Sequence, residues 1–351
     1  MHTYIGFRVA IGAVALMLVC WLVIAAYQGW FKKYLLAAAI FILGFFITAG
    51  PMIWYFSENP EDFIGRASGV SITNQPEPLV ALSKSFAAHL GMFNIYGDPN
   101  SRHNIPGAPM LAYPVGFLFL IGWWYALSKV FVSLWRIVSN RTKASIKEHG
   151  FPLVFYGMFF VWFFAFLAPG FLTYEGIPHA LRVLGIIPVV YLLAGLGGYL
   201  FFAWLRQFFA KWPVMTALLK IGSVGLLLIL VATTWYQYFY KWGANPEMHN
   251  AFTTRFADVG KTLNSFPEKT PKYVIMSEGD LPVESTRFVQ KTAGRQEAIY
   301  ITREEARTRS FSSGDLIFTM NKEYEDVSAL VQKYPQGETV EFERFWMFKV
   351  R

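Results

Sequence analysis

Three consecutive residues, Arg102, His103 and Asn104, form a dense cluster of hydrogen-bond donors. Their segment holds three prolines and directly precedes a long apolar stretch. Arginine binds phosphate through a bidentate pair of hydrogen bonds, and lipid phosphates lie at the surface of a bilayer. The cluster therefore fits the phosphate of a lipid headgroup or of a lipid-linked substrate. The alternative is snorkelling of the arginine or a hydrogen-bond network within the loop, and this alternative is favoured for His103.

A second group of polar residues lies just before another apolar stretch. Arg182 is placed where a lone charge is costly unless it is paired, either with Glu175 or with a phosphate, and His179 lies three residues before it. Helix N-termini also favour anions. Arg66 is a third cation of this kind, with a salt bridge to Asp62 as the alternative. These residues extend the predicted phosphate site.

The carboxylates in the same segments are candidates for proton transfer. They are Glu58, Asp62, Asp98 and Glu175. Their spacing does not require acid–base chemistry, and an aspartate before a proline, as at Asp98, is typical of a turn. The catalytic residue is therefore unknown, with Asp98 as no more than a candidate. No metal ligand and no cofactor is identified, although a divalent metal is left open.

The apolar stretches that position these residues are long enough to cross a membrane. The chain has 351 residues, 54% of them hydrophobic and 15% charged, whereas a soluble domain has roughly a quarter charged residues. A membrane-spanning helix needs roughly 20 apolar residues. Six stretches reach or approach this length: 9–26, 34–54, 113–128 with a continuation to 135, 151–168, 183–205 and 221–240. We predict a polytopic α-helical membrane bundle of about six transmembrane helices over residues 1–240.

The charge distribution predicts the orientation of the bundle. Residues 241–351 carry equal numbers of basic and acidic side chains, so the net charge of +8 lies entirely in residues 1–240. One set of loops carries ten basic residues and one acidic residue, and the other set carries five and six. Basic loops mark the cytoplasmic side. Loops 55–112 and 169–182 and residues 241–351 are therefore expected outside an inner or plasma membrane, and nucleic acid is not an expected partner.

The first outer loop is predicted to contain a helix over residues 76–93. Its apolar residues recur at spacings of three and four: Leu79, Leu82, Phe86, Leu90 and Phe93. Such a stripe suits a helix that lies in the membrane interface or packs on the bundle.

Residues 241–351 have the composition of a small extracytoplasmic α/β domain. Strands are predicted at 272–276, 298–302, 316–320, 339–342 and 346–350, and helices at 250–266 and 322–333. The second helix has an apolar face of Val327, Leu330 and Val331. The sequence shows no glycine-rich nucleotide motif, nucleophile elbow or metal-ligand cluster in this domain. Acceptor recognition and a packing role both remain open.

From about residue 51 to residue 203, the order of elements resembles the C-terminal half of bacterial GT-C membrane glycosyltransferases. These are relatives of dolichyl-phosphate-mannose protein mannosyltransferases and of the lipid A aminoarabinose transferase. The likeness rests on residues 59–63 (NPEDF) with 66–72 (RASGVSI), 97–111 (GDPNSRHNIPGAPML), 116–122 (GFLFLIG), and 178–182 (PHALR) with Pro188. Residues 97–111 are the most telling.

The resemblance implies transfer of a sugar from a polyprenyl-phosphate-linked donor to an acceptor on the outer face. It implies that basic residues at the interface hold the donor phosphate and that an acidic residue in the first outer loop is the general base. The lipid-linked donor and membrane lipids are the implied partners. On this chain the candidates for donor binding are Arg66, Arg102, His103, Asn104, His179 and Arg182.

The chain also departs from the resembled family, whose acidic catalytic loop follows the first of several earlier spans. No such loop precedes residue 55, so we expect the chain to be incomplete and to have an N-terminal half as a partner. Two other classes stay open. A transporter would carry ionisable or Gly/Pro-broken sites at mid-membrane, and the spans have almost no ionisable residues there. A non-catalytic, membrane-anchored module would have its pocket in the C-terminal domain.

Overall fold

The computed structural model describes residues 8–276 and 281–351, without the side chains of Ile64, Arg66, Ala67, Leu281, Pro282 and Tyr324. The chain divides into two compact units, Met1–Tyr238 and Phe239–Arg351. The boundary lies two residues before the one predicted from composition.

The first unit is helical. Its helices are α1 (Val9–Gln28), α2 (Phe31–Glu58), α3 (Pro60–Gly69), α4 (Pro78–Gly91), α5 (Tyr113–Asn140), α6 (Lys143–Phe171), α7 (Ile187–Phe208) and α8 (Pro213–Tyr236). Short 3₁₀ helices cover Ile72–Asn74 and Ala180–Ile186, and a π-helical turn, Gln237–Trp242, follows α8. Several helices begin with proline in their first turn, where its missing N–H costs nothing.

The six predicted spans correspond to six helices long and apolar enough to cross a membrane. Helices α2 and α6 extend past their predicted stretches at both ends because the polar flanking residues continue the same backbone hydrogen bonding. The described residues thus fit a multi-pass membrane protein. Helix α8 has no buried residue, as expected for a helix that hydrocarbon would surround.

Two glycines allow α5 and α7 to cross at close range. A Cβ atom built on Gly122 would lie 1.9 Å from the carbonyl oxygen of Leu193, and one on Gly197 would lie 1.9 Å from that of Leu118. Small residues at such crossings are typical of helices that pack in membranes, since water cannot drive the association there.

Aromatic side chains fill the core between α5 and α6. Trp123 makes edge contacts with Phe160 and Phe163, whose ring centroids lie 4.8 and 4.6 Å from its own. Phe93, which follows α4, packs against Phe163 and Phe119 at 5.6 and 5.7 Å. The segment after α4 is therefore part of the bundle core.

The predicted helix at residues 76–93 is confirmed as α4, and it packs on the bundle. Phe86 stacks on Phe164 and meets Phe171 edge-on, both on α6. Leu79, assigned to the same stripe, is 81% exposed. The packed face instead includes the buried polar residues Ser85 and His89.

The two predicted loops between spans are joined to each other. Ser71 and Thr173 form an isolated antiparallel bridge, and the N–H of Ile72 donates to the carbonyl of Leu172 over 2.9 Å. The acidic stretch before this bridge, whose sequence is typical of turns, folds as α3, with a proline and two acidic residues in its first turn.

The second unit is an α/β domain. Its helices are α9 (Pro246–Ala251), α10 (Arg255–Ser265), α11 (Leu281–Thr292), α12 (Arg303–Thr308) and α13 (Tyr324–Lys333). Its strands are β1 (Lys272–Ile275), β2 (Ile299–Ile301), β3 (Leu316–Thr319), β4 (Glu338–Glu341) and β5 (Trp346–Lys349). They form one sheet of order β2-β1-β3-β5-β4, in which β1 is parallel to β2 and β3, and β5 is antiparallel to β3 and β4.

The five predicted strands of this unit are confirmed, and its helices differ in detail from the prediction. The single helix predicted at 250–266 is two, because Thr253 has a φ of +52° and ends the regular backbone. Val331, predicted on the buried face of α13, is 43% exposed. Helices α11 and α12 were not predicted.

Candidate functional site

The site is organised around the carboxylate of Asp98, which is 1% exposed. Its Oδ1 accepts the N–H of Asn100 over 2.7 Å. Its Oδ2 accepts the N–H of Ala180 over 2.7 Å and lies 2.8 Å from Nδ1 of His103. The N–H of Ala180 is at the start of a 3₁₀ helix, where backbone N–H groups have no partner within the helix and a carboxylate is a favourable acceptor. One buried aspartate therefore fastens the segment before α5 to the segment before α7.

His103 and His179 lie side by side at this anchor. Their ring centroids are 4.8 Å apart, with a 35° angle between the rings. Because a carboxylate accepts hydrogen bonds, this contact places the proton of a neutral His103 ring on Nδ1 and the lone pair on Nε2. His179 follows the cis Ile177–Pro178 bond, and Gly176, with a φ of +65°, approaches its ring closely.

The environment of His179 disfavours its charged form. Burial lowers the pKa of His179 to about 4, with further contributions from the positive charge of Arg182 and from His103. Its Nδ1 is buried and has no hydrogen-bond partner among the described residues. The imidazole of His179 is therefore neutral near pH 7.

His89, on α4, contacts the backbone of the site. Its Nδ1 lies 2.8 Å from the carbonyl oxygen of Ser85, and its Nε2 lies 3.1 Å from the backbone nitrogen of His179. The side chain is fully buried, and burial lowers its pKa. Sequence analysis did not assign His89, although its place on the packed face of an amphipathic helix was a signal for a buried imidazole.

Arg182 is held by the loop that precedes it. Its guanidinium donates to the carboxylate of Glu175 over 2.8 Å, to the carbonyl oxygen of Glu175 over 2.9 Å and to the hydroxyl of Thr173. The arginine side chain is 12% exposed. Of the two partners considered from the sequence, the structure shows Glu175.

A pocket of about 420 Å³ lies beside Arg102 and His103. Its remaining lining is apolar and comes from the ends of the α4–α5 segment, the 3₁₀ helix Ala180–Ile186 and the first turn of α7. Leu184, Ile187 and Tyr191 are exposed hydrophobic side chains on its border. The pocket thus joins a polar rim to apolar surface, a combination that suits an amphiphilic ligand.

The other candidates have different surroundings. The amide of Asn104 donates to the carbonyl oxygen of Ala108 over 2.6 Å, so it is used within its own loop. Asp62, the alternative partner of Arg66, accepts a 2.5 Å hydrogen bond from the hydroxyl of Tyr55. The side chain of Arg66 lies outside the described residues, and its assignment stays a prediction.

The structure brings together three potential metal ligands that the sequence did not suggest. Ligand atoms of Asp98, His103 and His179 all lie within 4.8 Å of one another. Two of these residues are in one loop and the third is in the other, so their spacing in sequence carried no ligand pattern.

Comparison of the chain with models of protein families, with curated proteins and with solved structures finds no match.

Proposed function

We propose that the chain is part of a GT-C-type glycosyltransferase that takes its sugar from a polyprenyl-phosphate-linked donor. The observation that carries the proposal is the pocket whose rim holds Arg102 and His103 and whose walls are apolar. A polyprenyl phosphate has the same division, an anionic head on a hydrocarbon chain. The resemblance of residues 97–111 to that enzyme family supports the same assignment.

The pocket suits entry from the hydrocarbon of a bilayer. Leu184, Ile187 and Tyr191 border it with exposed apolar surface on the helical segment Ala180–Phe208. A lipid chain that lies along this surface would place its phosphate near Arg102. Arginine is suited to that role because its planar guanidinium matches two phosphate oxygens.

The polar rim also suits the chemistry of transfer. Negative charge grows on the donor phosphate as the glycosidic bond breaks, and fixed positive groups stabilise that charge most when water is excluded. Asp98 holds His103 with its Nδ1 proton directed at the carboxylate, which leaves Nε2 to accept a hydrogen bond or a proton from a substrate. Arg182, already paired with Glu175, would act by positioning the loop.

The charge distribution supports an outward orientation of this pocket. The loops that build it carry fewer basic than acidic residues, while the opposite loops are strongly basic. In the proposed arrangement, the transfer occurs on the extracytoplasmic face of the membrane. We propose an extracytoplasmic location for the α/β unit as well, because it follows the sixth span.

Binding of a polyprenyl phosphate to the purified chain in lipid nanodiscs tests the proposal. We expect saturable binding that Arg102→Ala weakens by about tenfold or more, as for loss of a charge-assisted bond. Arg136→Ala is the matched control, since Arg136 is an exposed arginine at the other end of α5. Equal binding by the two variants, or equal binding of a neutral polyprenol, would reject the assignment.

A further inference from the structure

We propose that Asp98, His103 and His179 form a binding site for a divalent transition-metal ion of the zinc class. Two imidazoles and one carboxylate are a common ligand set for such ions in catalytic sites that keep an open coordination position. The inference concerns the ion and does not depend on the identity of any lipid or sugar substrate.

The distances are close to those of a metal site. Ligand atoms about 2.1 Å from a tetrahedral ion lie roughly 3.4 Å from one another. In this cluster Oδ2 of Asp98 and Nδ1 of His103 are 2.8 Å apart, and the ligand atoms of all three residues lie within 4.8 Å.

The nitrogen of His179 gives an independent reason to expect a ligand. Its Nδ1 is buried from solvent and meets no hydrogen-bond partner in the described parts of the chain. Buried polar atoms are normally satisfied, so an orphaned one calls for an explanation. A metal ion bound beside His103 and Asp98 would supply it.

The surroundings of the three residues hold them in place for this role. The N–H groups of Asn100 and Ala180 each donate to the Asp98 carboxylate, one to each oxygen. The N–H of His179 is fixed by Nε2 of His89. Outer hydrogen bonds of this kind orient metal ligands and raise affinity.

The chemistry of binding is an exchange of cations. Nδ1 of His103 lies 2.8 Å from Oδ2 of Asp98, a contact that needs a proton between the two atoms. The bound ion takes the place of this proton, which leaves to solvent, and nothing is oxidised or reduced. Because His103 also lines the pocket, the open coordination position is next to the space that an anionic ligand would enter.

Titration of the tag-free full chain in detergent with Zn²⁺, and separately with Co²⁺, tests the site. We expect one Zn²⁺ per chain with a Kd of about 1 µM or tighter, and a Co²⁺ absorption spectrum typical of four or five nitrogen and oxygen ligands. His179→Ala and His103→Ala should each weaken Zn²⁺ binding by about tenfold or more and change the Co²⁺ spectrum.

His249→Ala is the matched control, because it removes an imidazole from the other unit. Thermal unfolding of each variant without metal shows whether it is folded. His179→Ala is the decisive variant, since the backbone N–H of residue 179 remains to bind His89. The proposal is overturned if Zn²⁺ binds at well below one ion per chain, or if folded His179→Ala binds it as the control does.

Discussion

The backbone N–H of His179 donates a hydrogen bond to Nε2 of His89, with 3.1 Å between the two nitrogens. Since Nε2 accepts this bond, the proton of the neutral ring is on Nδ1, which donates to the carbonyl oxygen of Ser85. The buried imidazole therefore connects α4 to the segment that carries the candidate site. Both ring nitrogens form a hydrogen bond. Protonation of Nε2 would break the bond from His179, and loss of the proton from Nδ1 would break the bond to Ser85.

Gly170→Ala should displace His89. A Cβ at Gly170 would lie 2.6 Å from Nε2 of His89 and 2.7 Å from Cγ1 of Val183. Overpacking of this kind costs about 1–3 kcal/mol, so we expect a lower thermal midpoint in detergent. Gly157→Ala, on the same helix with open space around it, is the control. Equal midpoints for the two variants would contradict the packing described for His89.

The stability of the protein should fall as the pH is lowered from about 7.5 to about 5. Burial lowers the pKa of His89 in the folded chain, whereas the unfolded chain has an ordinary histidine. Below the ordinary pKa of about 6.5, the unfolded state binds a proton that the folded state does not, which favours unfolding. His179, with its pKa lowered to about 4, adds to the same trend.

Thermal midpoints of the wild type and of His89→Gln at several pH values measure this effect. The variant has lower stability at neutral pH and a smaller pH dependence below the ordinary histidine pKa, because one of the two titrating imidazoles is gone. The same slope in both proteins would show that His89 does not contribute.

Alanine at the crossing of α5 and α7 should be poorly tolerated. At Gly122 or Gly197 the new methyl group would lie 1.9 Å from a backbone carbonyl oxygen of the other helix. Because backbone must move, we expect a loss of about 1–3 kcal/mol or more for each substitution. Gly195→Ala on α7, which meets no atom within 4 Å, should leave the stability within about 1 kcal/mol of the wild type. A control that is as damaging as Gly197→Ala would refute the close crossing.

The two arginines of the site should respond differently to substitution. Arg182→Ala leaves the Glu175 carboxylate and the Thr173 hydroxyl without their donor, so we expect a stability loss of about 1–2 kcal/mol. Arg102 is exposed, and its replacement by alanine should change stability by about 0.5 kcal/mol or less. For the affinity for a polyprenyl phosphate we expect the opposite order, with a larger loss for Arg102→Ala than for Arg182→Ala. Unfolding and binding measured on both variants test this order, and a larger binding loss for Arg182→Ala would contradict the separate roles of the two side chains.

The α/β unit should lose stability when its central aromatic side chain is removed. Phe318 on β3 is fully buried and packs against the rings of Phe266 and Phe345. Phe318→Ala should cost about 3–5 kcal/mol, seen as faster hydrogen exchange in β1, β3 and β5. Phe288→Ala, at a residue that is 68% exposed, should leave exchange in these strands nearly unchanged. Slow exchange in Phe318→Ala would argue against this core.

The six long apolar helices could be predicted from the sequence because length and hydropathy alone define a helix that is able to cross a membrane. The five strands followed from their β-branched and aromatic content. Helix α11 was missed because its buried face includes Thr286 and Gln290, which are 0% and 1% exposed. A pattern of apolar spacing counts such residues as solvent-facing, although each is buried together with its hydrogen bonds.

The candidate site was predicted only in part for a related reason. Residue types and their place beside apolar stretches indicated Arg102, His103, His179 and Arg182 as residues of interest. The sequence could not indicate that Asp98 joins His103 to Ala180, because that contact depends on how α5, α6 and α7 pack. An aspartate before a proline is also typical of a turn, and Asp98 does cap its own turn through the N–H of Asn100.

The bond between the Asp98 carboxylate and the N–H of Ala180 joins residues 82 positions apart. Asp98 is synthesised before Ala180, and two helices, α5 and α6, lie between them in the sequence. Until residue 180 has been synthesised, the carboxylate lacks one of its three partners. The polar rim of the pocket is therefore completed late in synthesis, only after α5 and α6 have been made.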